Sequence, residues 1–191
     1  MAKRTRSQVG RYSRRKGGNY ENKIAKKLSE WWFDDKTILR KTPLSGGWSN
    51  KYPFDITIEK DFPFAVSGKN VEGWHIEHLM KNKKSIFIKW WDEVYSSFDR
   101  VIEWDSDYVG KVIPTLIFTK NYDNDYMMIP REYFGKIIDY KPNFGYMLWK
   151  AELDSGLMNT EFVLFLLEDF LERTDPVVVK TIWGAEYEKR K

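Results

Sequence analysis

Asp55 and Lys69 are of types that could act together on a phosphate, and the pattern around them places them close in space. Apolar residues alternate with polar ones in residues 54–59, and again in residues 62–69. If both apolar sets share one core face, an antiparallel pairing puts Asp55 opposite Ser67, with Lys69 two residues further along. The pattern therefore predicts a carboxylate and a lysine on the face of a hairpin that points away from the core.

These residue types suit a magnesium-dependent phosphodiesterase once a third residue, Glu21 of a preceding helix, is added. Carboxylate oxygens hold Mg²⁺ and leave positions open for water and phosphate, and the metal stabilises charge that develops on the phosphate. Lys69 would orient or help to deprotonate the attacking water, or neutralise the phosphate. An Asp and a Lys on the outer face of a hairpin are also commonly just solvated, so the spacing alone leaves both interpretations open.

An amphipathic helix is predicted to position Glu21. Its apolar residues recur at spacings of three and four, which predicts packing on a core, and they are Ile24, Ala25, Leu28, Trp31 and Trp32. Asn19 is a plausible N-cap, which places Glu21 in the first turn.

The remaining pattern predicts further elements in an α/β order. Helical segments follow Gly73, a buried strand covers residues 112–118, and residues 125–129 are its hairpin partner. Residues 160–173 are predicted as an apolar helix and residues 177–183 as a strand.

We therefore expect an α/β domain with a central mixed sheet flanked by helices, a basic N-terminal arm and a C-terminal helical extension. The predicted division is a flexible arm at 1–18, an α/β core at 19–130, and an extension packed on that core at 131–191.

Positive charge is concentrated at the N-terminus. The chain has 191 residues and a net charge of +4. Residues 1–16 contain seven basic residues and no acid, so the rest of the chain carries a net charge of −3. The seven are Lys3, Arg4, Arg6, Arg11, Arg14, Arg15 and Lys16. Such a segment, followed by Gly17 and Gly18, is expected to meet DNA phosphates, and a solubility tail is the alternative.

The composition excludes several classes of protein. The chain has no cysteine, which removes disulfide frameworks, cysteine zinc sites and thiol catalysis. No apolar run approaches the roughly 18 residues that span a bilayer, and the N-terminus lacks the apolar region of a secretory signal. We expect a cytoplasmic protein with no membrane partner, located in the host cytoplasm if a phage encodes it.

Four segments together resemble the PD-(D/E)XK nuclease superfamily, and more narrowly the small phage and archaeal-type Holliday junction resolvase-like endonucleases. The segments are residues 18–28 (GNYENKIAKKL), 43–48 (PLSGGW), 54–56 (FDI) and 62–74 (FPFAVSGKNVEGW). The resemblance covers about residues 15–130.

The resemblance implies a restriction-endonuclease-like core, a DNA substrate that could be branched, and one or two Mg²⁺ ions, for which Mn²⁺ can substitute. It implies that Glu21 matches the helix acid, Asp55 the principal metal ligand and Lys69 the catalytic lysine. Ser45 and Gly46 could offer backbone amides to a phosphate, although a plain turn explains them equally well.

A resolvase would also be expected as a two-fold dimer. An apolar set in the C-terminal part could supply the interface, or could equally belong to a helix that covers the sheet. This set comprises Phe162, Phe165, Leu166 and Phe170.

One position departs from the family pattern, because Ser67 stands where an Asp or Glu is expected. A hydroxyl is a poorer Mg²⁺ ligand than a carboxylate. The acid could have migrated to Glu77 or Glu72, it could have been replaced deliberately to silence the enzyme, or the protein could be an inactive DNA-binding or structural protein on the same scaffold. Glu93 stands where related sequences commonly have Gln, and its role is left open.

Overall fold

A mixed five-stranded sheet lies at the centre of the computed structural model, which describes residues 5–43, 53–59, 61–104, 112–137, 143–153 and 160–188. The strand order is β1-β2-β3-β5-β4. The first two strands are parallel, and the other neighbouring pairs are antiparallel. The strands are β1 (Phe64–Asn70), β2 (Ile113–Thr119), β3 (Tyr126–Pro130), β4 (Tyr146–Ala151) and β5 (Thr160–Leu166).

Helices cover both faces of this sheet, so the predicted α/β architecture is confirmed. The α-helices are α1 (Arg6–Phe33), α2 (Ile86–Trp104), α3 (Arg131–Ile137), α4 (Leu167–Arg173) and α5 (Pro176–Glu188), and a 3-10 helix covers Ile76–Lys84. One buried cluster joins the sheet to α1, α3, α4 and α5. A second cluster joins the opposite face to the 3-10 helix and α2. The result is a three-layer arrangement consistent with a restriction-endonuclease-like core.

The parallel pair brings two strand ends to one edge of the sheet. The register pairs Lys69 with Phe118 and Asn70 with Thr119, so the carboxyl ends of β1 and β2 lie side by side. In open α/β sheets, ligands bind beyond the carboxyl ends of parallel strands. This edge is therefore where a functional site is expected.

The first helix is longer than predicted, because α1 begins at Arg6 and not after Asn19. Thr5 forms a capping box with Gln8, which satisfies backbone donors at the start of the helix. The flexible arm predicted for residues 1–18 is therefore wrong from Arg6 onward. The apolar stripe predicted for this helix is confirmed, with Ile24 and Leu28 fully buried.

The segment before β1 forms a less regular structure than the predicted hairpin. The Asp55 amide donates to the Val66 carbonyl over 3.0 Å, while residues 55–57 bond mainly to residues 40–42 on their other side. Phe54 and Ile56 lie in different buried clusters, so the prediction that they share one face is wrong. The chain bends at residues 54 and 55, which breaks the alternation.

Two predicted elements in the C-terminal part are also wrong. Residues 160–166 form β5, and only residues 167–173 are helical. The run is apolar throughout because both faces of β5 are buried, which removes the alternation that marks a strand. Residues 177–183 belong to α5, where Pro176 takes the first helical position and Asp175 accepts a hydrogen bond from the Val177 amide.

Segment 131–191 contributes two strands to the central sheet as well as three helices. Phe162, Phe165 and Phe170 are buried on β5 and α4, so of the two alternatives considered for these residues the structure favours a place in the core over a dimer interface. None of the described helices combines the length and the apolar composition needed to cross a membrane.

Candidate active site

Glu21 lies on the face of α1 that passes over β1. Its carboxylate is largely buried, and its Oε2 atom lies 2.9 Å from Nζ of Lys41. Gly18 leaves room for this ion pair, since a Cβ atom there would lie 2.7 Å from Lys41 Nζ. Gly17 and Gly18, predicted as the flexible end of the basic arm, are instead helical positions on the side of α1 that approaches this site.

Asp55 and Glu21 approach β1 from two sides of the same residue, Gly68. The Gly68 amide donates to Asp55 Oδ2 over 2.9 Å. A Cβ atom on Gly68 would lie 3.7 Å from Cγ of Glu21, which is ordinary van der Waals contact. The bare backbone of Gly68 is therefore the point at which α1, β1 and the Asp55 segment meet.

Lys69 follows immediately on β1 and extends toward α2. Its Nζ atom lies 2.6 Å from Oε2 of Glu93. Ser67 lies two residues earlier on the same strand face and is buried. The expected position of Ser67 beside Lys69 is thus found, and the acid that contacts this lysine is supplied by α2.

The charges of these residues influence one another. The pKa of the Glu21 carboxyl lies above its usual value, chiefly because the group is buried. The Lys41 ammonium opposes this shift, as does the positive charge of Lys69, and the negative charge of Asp55 adds to it. The pKa of Glu21 is therefore sensitive to the charges of both Asp55 and Lys69. Perturbed carboxyl groups in such clusters are typical of functional sites.

The donor set offers two protein carboxylates to a divalent metal ion. Within the described residues, no group of three His, Cys, Asp or Glu side chains is close enough to hold a metal ion. Mg²⁺ is commonly held by one or two carboxylates, with waters and substrate phosphate oxygens completing its shell. Glu21 and Asp55, both of which approach Gly68, are the two carboxylates that would hold such an ion.

The acids considered as replacements for position 67 lie elsewhere. Glu77 is exposed in the first turn of the 3-10 helix. Glu72 pairs with Lys16 at 2.6 Å and accepts a hydrogen bond from the Asn121 amide at 2.9 Å. Glu93 is the acid that the structure brings to Lys69.

The predicted DNA-binding residues fall into two groups. Within α1, Arg11, Arg14 and Arg15 are exposed, Lys16 is half-buried in its ion pair with Glu72, and Arg6 is the first helical residue. Outside the described residues lie Lys3, Arg4, Ser45 and Gly46.

Sequence reasoning missed two contributors to the site. Lys41 lies 20 residues from its partner Glu21, on a segment with no recognisable pattern of its own. Gly68 has no distinguishing feature in the sequence beyond its place between Ser67 and Lys69. Neither the ion pair of Lys41 with Glu21 nor the approach of Glu21 to Gly68 leaves a pattern in the local sequence, because both depend on how α1 crosses the sheet.

Comparison with known proteins agrees with this geometry. The model of a family described as "phage putative PDDEXK endonuclease" matches residues 12–180. No curated protein and no solved structure shows a significant match to the chain. The match extends over most of α1, the whole described sheet and most of the C-terminal part, and so includes Glu21, Asp55 and Lys69. The chain therefore belongs to this PDDEXK endonuclease family of phages.

Proposed function

We propose that this protein is a Mg²⁺-dependent endonuclease that hydrolyses phosphodiester bonds of DNA, with Glu21, Asp55 and Lys69 as its catalytic centre. The observation that carries the proposal is the meeting of the two carboxylates around Gly68, with the lysine on the next residue of β1. Carboxylates, a lysine and an open strand end are the components that metal-assisted phosphodiester hydrolysis requires.

Each residue has a distinct part in this mechanism. Glu21 and Asp55 would hold Mg²⁺, which when bound stabilises the negative charge of the phosphate and lowers the pKa of its water. Lys69 neutralises charge on the scissile phosphate or orients the attacking water. Glu93 holds the Lys69 ammonium in position through the contact between Nζ and Oε2. Lys41 opposes the rise in the pKa of Glu21 that burial causes.

The most direct experiment incubates the protein with supercoiled plasmid and with a four-way junction, in Mg²⁺, in Mn²⁺ and in EDTA. The proposal expects cleavage with either metal and none in EDTA. Preferential cutting of the junction would support the narrower hypothesis of a resolvase acting on branched DNA, and a dimer in light scattering would support symmetric cutting. DNA that is shifted in a gel but never cut would support the inactive DNA-binding alternative.

That alternative rests on Ser67, and one substitution tests it. Ser67→Glu would add a carboxylate on the strand face that carries Lys69. We expect the Mg²⁺ concentration for half-maximal cleavage to fall by about tenfold, because affinity rises with the number of charged ligands. Cleavage measured across a Mg²⁺ titration, with thermal melting as the folding control, gives the answer. An unchanged metal requirement would show that position 67 does not face the metal.

The exposed basic face of α1 is proposed to bind the DNA backbone. Because Thr5 caps this helix, substitution is a cleaner test than deletion. Replacing Arg11, Arg14 and Arg15 together by Gln should weaken binding whatever the sequence, and should flatten the salt dependence by up to about 0.9 log unit for each phosphate that the variant no longer neutralises. Fluorescence anisotropy at several salt concentrations measures this slope. Lys150→Gln, on the exposed strand β4, is the control, and equal slopes for all three proteins would refute the role of this face.

A further inference from the structure

A polar cleft lies beside the catalytic centre, between α1 and the turn that joins β2 to β3. Its volume is about 490 Å³. One wall is the α1 face from Tyr12 to Lys23, and the other is the turn from Lys120 to Asp123. Asn70 and Thr119, the last residues of the two parallel strands, also line it. A cleft of this size can take a drug-sized molecule such as one nucleotide.

The cleft is adjacent to the proposed catalytic residues. Asn70 follows Lys69 on β1, and Tyr20 precedes Glu21 on α1. The cleft therefore lies at the carboxyl end of β1, next to the residues proposed for catalysis.

Three residues that line this cleft carry a buried polar atom without a hydrogen bond of ordinary geometry among the described residues. The atoms are the Tyr20 hydroxyl, Asn70 Oδ1 and Asp125 Oδ1. The Tyr20 hydroxyl and the Asp125 carboxylate interact with each other, since the negative charge of Asp125 and a hydrogen bond to it add to the rise that burial causes in the pKa of Tyr20. Asn70 Oδ1 is therefore the atom that calls for an outside partner, because buried polar atoms are normally paired. As an acceptor, it requires a ligand that donates a hydrogen bond.

The rim of the cleft has the opposite character. Four cationic side chains line it, against the two acids Asp123 and Asp125, and they are Arg15, Lys16, Lys23 and Lys120. Lys16, Lys23 and Lys120 are paired with Glu72, Asp125 and Asp123, and Asp125 is also held by Lys27 at 3.0 Å. A ligand with an anionic part near Arg15 and Lys23 and an N–H donor near Asn70 matches these surroundings.

Tyr122 supplies an aromatic surface at the mouth. Its side chain is fully exposed, and its backbone has a φ of 61°, a left-handed conformation that is unusual for a bulky residue. The turn that carries it is well fixed, because the Thr119 hydroxyl bonds to the Asn124 carbonyl at 2.9 Å and the Asn121 amide bonds to Glu72. A rigid turn that holds an aromatic ring in solvent is suited to stacking against a base.

We propose that this cleft receives one unpaired nucleotide of the DNA substrate, whose base stacks on Tyr122, whose exocyclic amine reaches Asn70, and whose phosphate lies along Arg15 and Lys23. The proposal rests on the proposed function, since it names the class of DNA that the nuclease would act on. It predicts a substrate with an extra or displaced nucleotide next to the cleavage point.

Binding in EDTA tests the cleft without any cleavage. The probes are three labelled duplexes: one fully paired, one with a single extra unpaired adenine, and one with an abasic residue at that extra position. The parent protein should bind the adenine duplex about tenfold more tightly than the paired one, and the abasic residue should abolish this preference. Tyr122→Ala should lose the preference, and Tyr122→Phe, which keeps the ring, should retain it. Because Tyr122 is fully exposed, thermal melting should be the same for both variants.

The outcomes separate this proposal from the proposed function. Equal affinity of the parent for all three duplexes, or a preference that survives in Tyr122→Ala, would overturn the cleft proposal even if plasmid cleavage occurs. A preference that depends on the Tyr122 ring, in a protein that never cuts DNA, would support the cleft and refute the nuclease.

Discussion

Replacing Asp55 by Asn is expected to reduce metal-dependent DNA cleavage by roughly a hundredfold or more while leaving DNA binding nearly unchanged. The substitution removes one negative charge from the proposed metal site. The fold should tolerate it, because the amide oxygen of Asn can still accept the hydrogen bond from the Gly68 amide that Asp55 Oδ2 accepts now. Initial rates of plasmid nicking and anisotropy of a labelled duplex measure the two effects separately.

Asp61→Asn provides the matched control for this substitution. Asp61 is an exposed acid six residues further along the chain, and its φ of 70° suits Asn equally well. It should cleave at the parent rate. If Asp55→Asn cleaves as fast as Asp61→Asn, Asp55 has no part in the chemistry.

Lys69→Met is expected to lower the cleavage rate by about 10² to 10³, which is the usual effect of removing one group that stabilises developing charge. Methionine keeps the length and apolar stem of lysine but carries no ammonium. Loss of the ion pair with Glu93 should cost little stability, because both side chains are partly exposed. Single-turnover cleavage at saturating enzyme isolates the chemical step from binding.

Lys89→Met, on an exposed position of α2, is the control for a general loss of positive charge. The cleavage rate of Glu93→Gln should fall between those of Lys69→Met and Lys89→Met, since this variant leaves the Lys69 ammonium in place but without its partner. Cleavage by Lys69→Met at the rate of Lys89→Met would remove Lys69 from the mechanism.

The parts of the fold that depend on a single apolar period could be predicted from the sequence. The inward face of α1, the strand at 113–119 and its hairpin partner at 126–130 each agree closely with their patterns. The placement of Ser67 beside Lys69 also followed from alternation, because β1 is regular over its whole length.

Two apolar runs in the C-terminal part were assigned wrongly, in contrast to β2, which is also buried along its whole length. β5 has four consecutive buried residues, so its pattern cannot distinguish a strand from a helix. In α5 the run of three valines favours a strand locally, but packing of Val179 and Trp183 into the core and the proline at the first turn favour the helix.

The electrostatics of the site were the least predictable part. The contacts of Glu21 with Lys41, of Asp55 with Gly68 and of Lys69 with Glu93 each join segments at least 13 residues apart in the chain. Only the three-dimensional path of α1 and α2 across the sheet brings them together. The start of α1 was also not predictable from its apolar residues. It depends on the capping box at Thr5 and on close packing at Gly18, and the spacing of the apolar residues carries no information about either.

The central claim is that Glu21 and Asp55 act as parts of one catalytic centre, and a double-mutant cycle tests it most directly. The measurement is the single-turnover rate of plasmid nicking in Mg²⁺ for the parent, Glu21→Gln, Asp55→Asn and the double variant. Residues that act as a unit are strongly non-additive, so the double variant should be slower than the worse single variant by less than about tenfold. If the rate reductions of the two single variants multiply in the double variant, or if Glu21→Gln cleaves at the parent rate, the claim is contradicted.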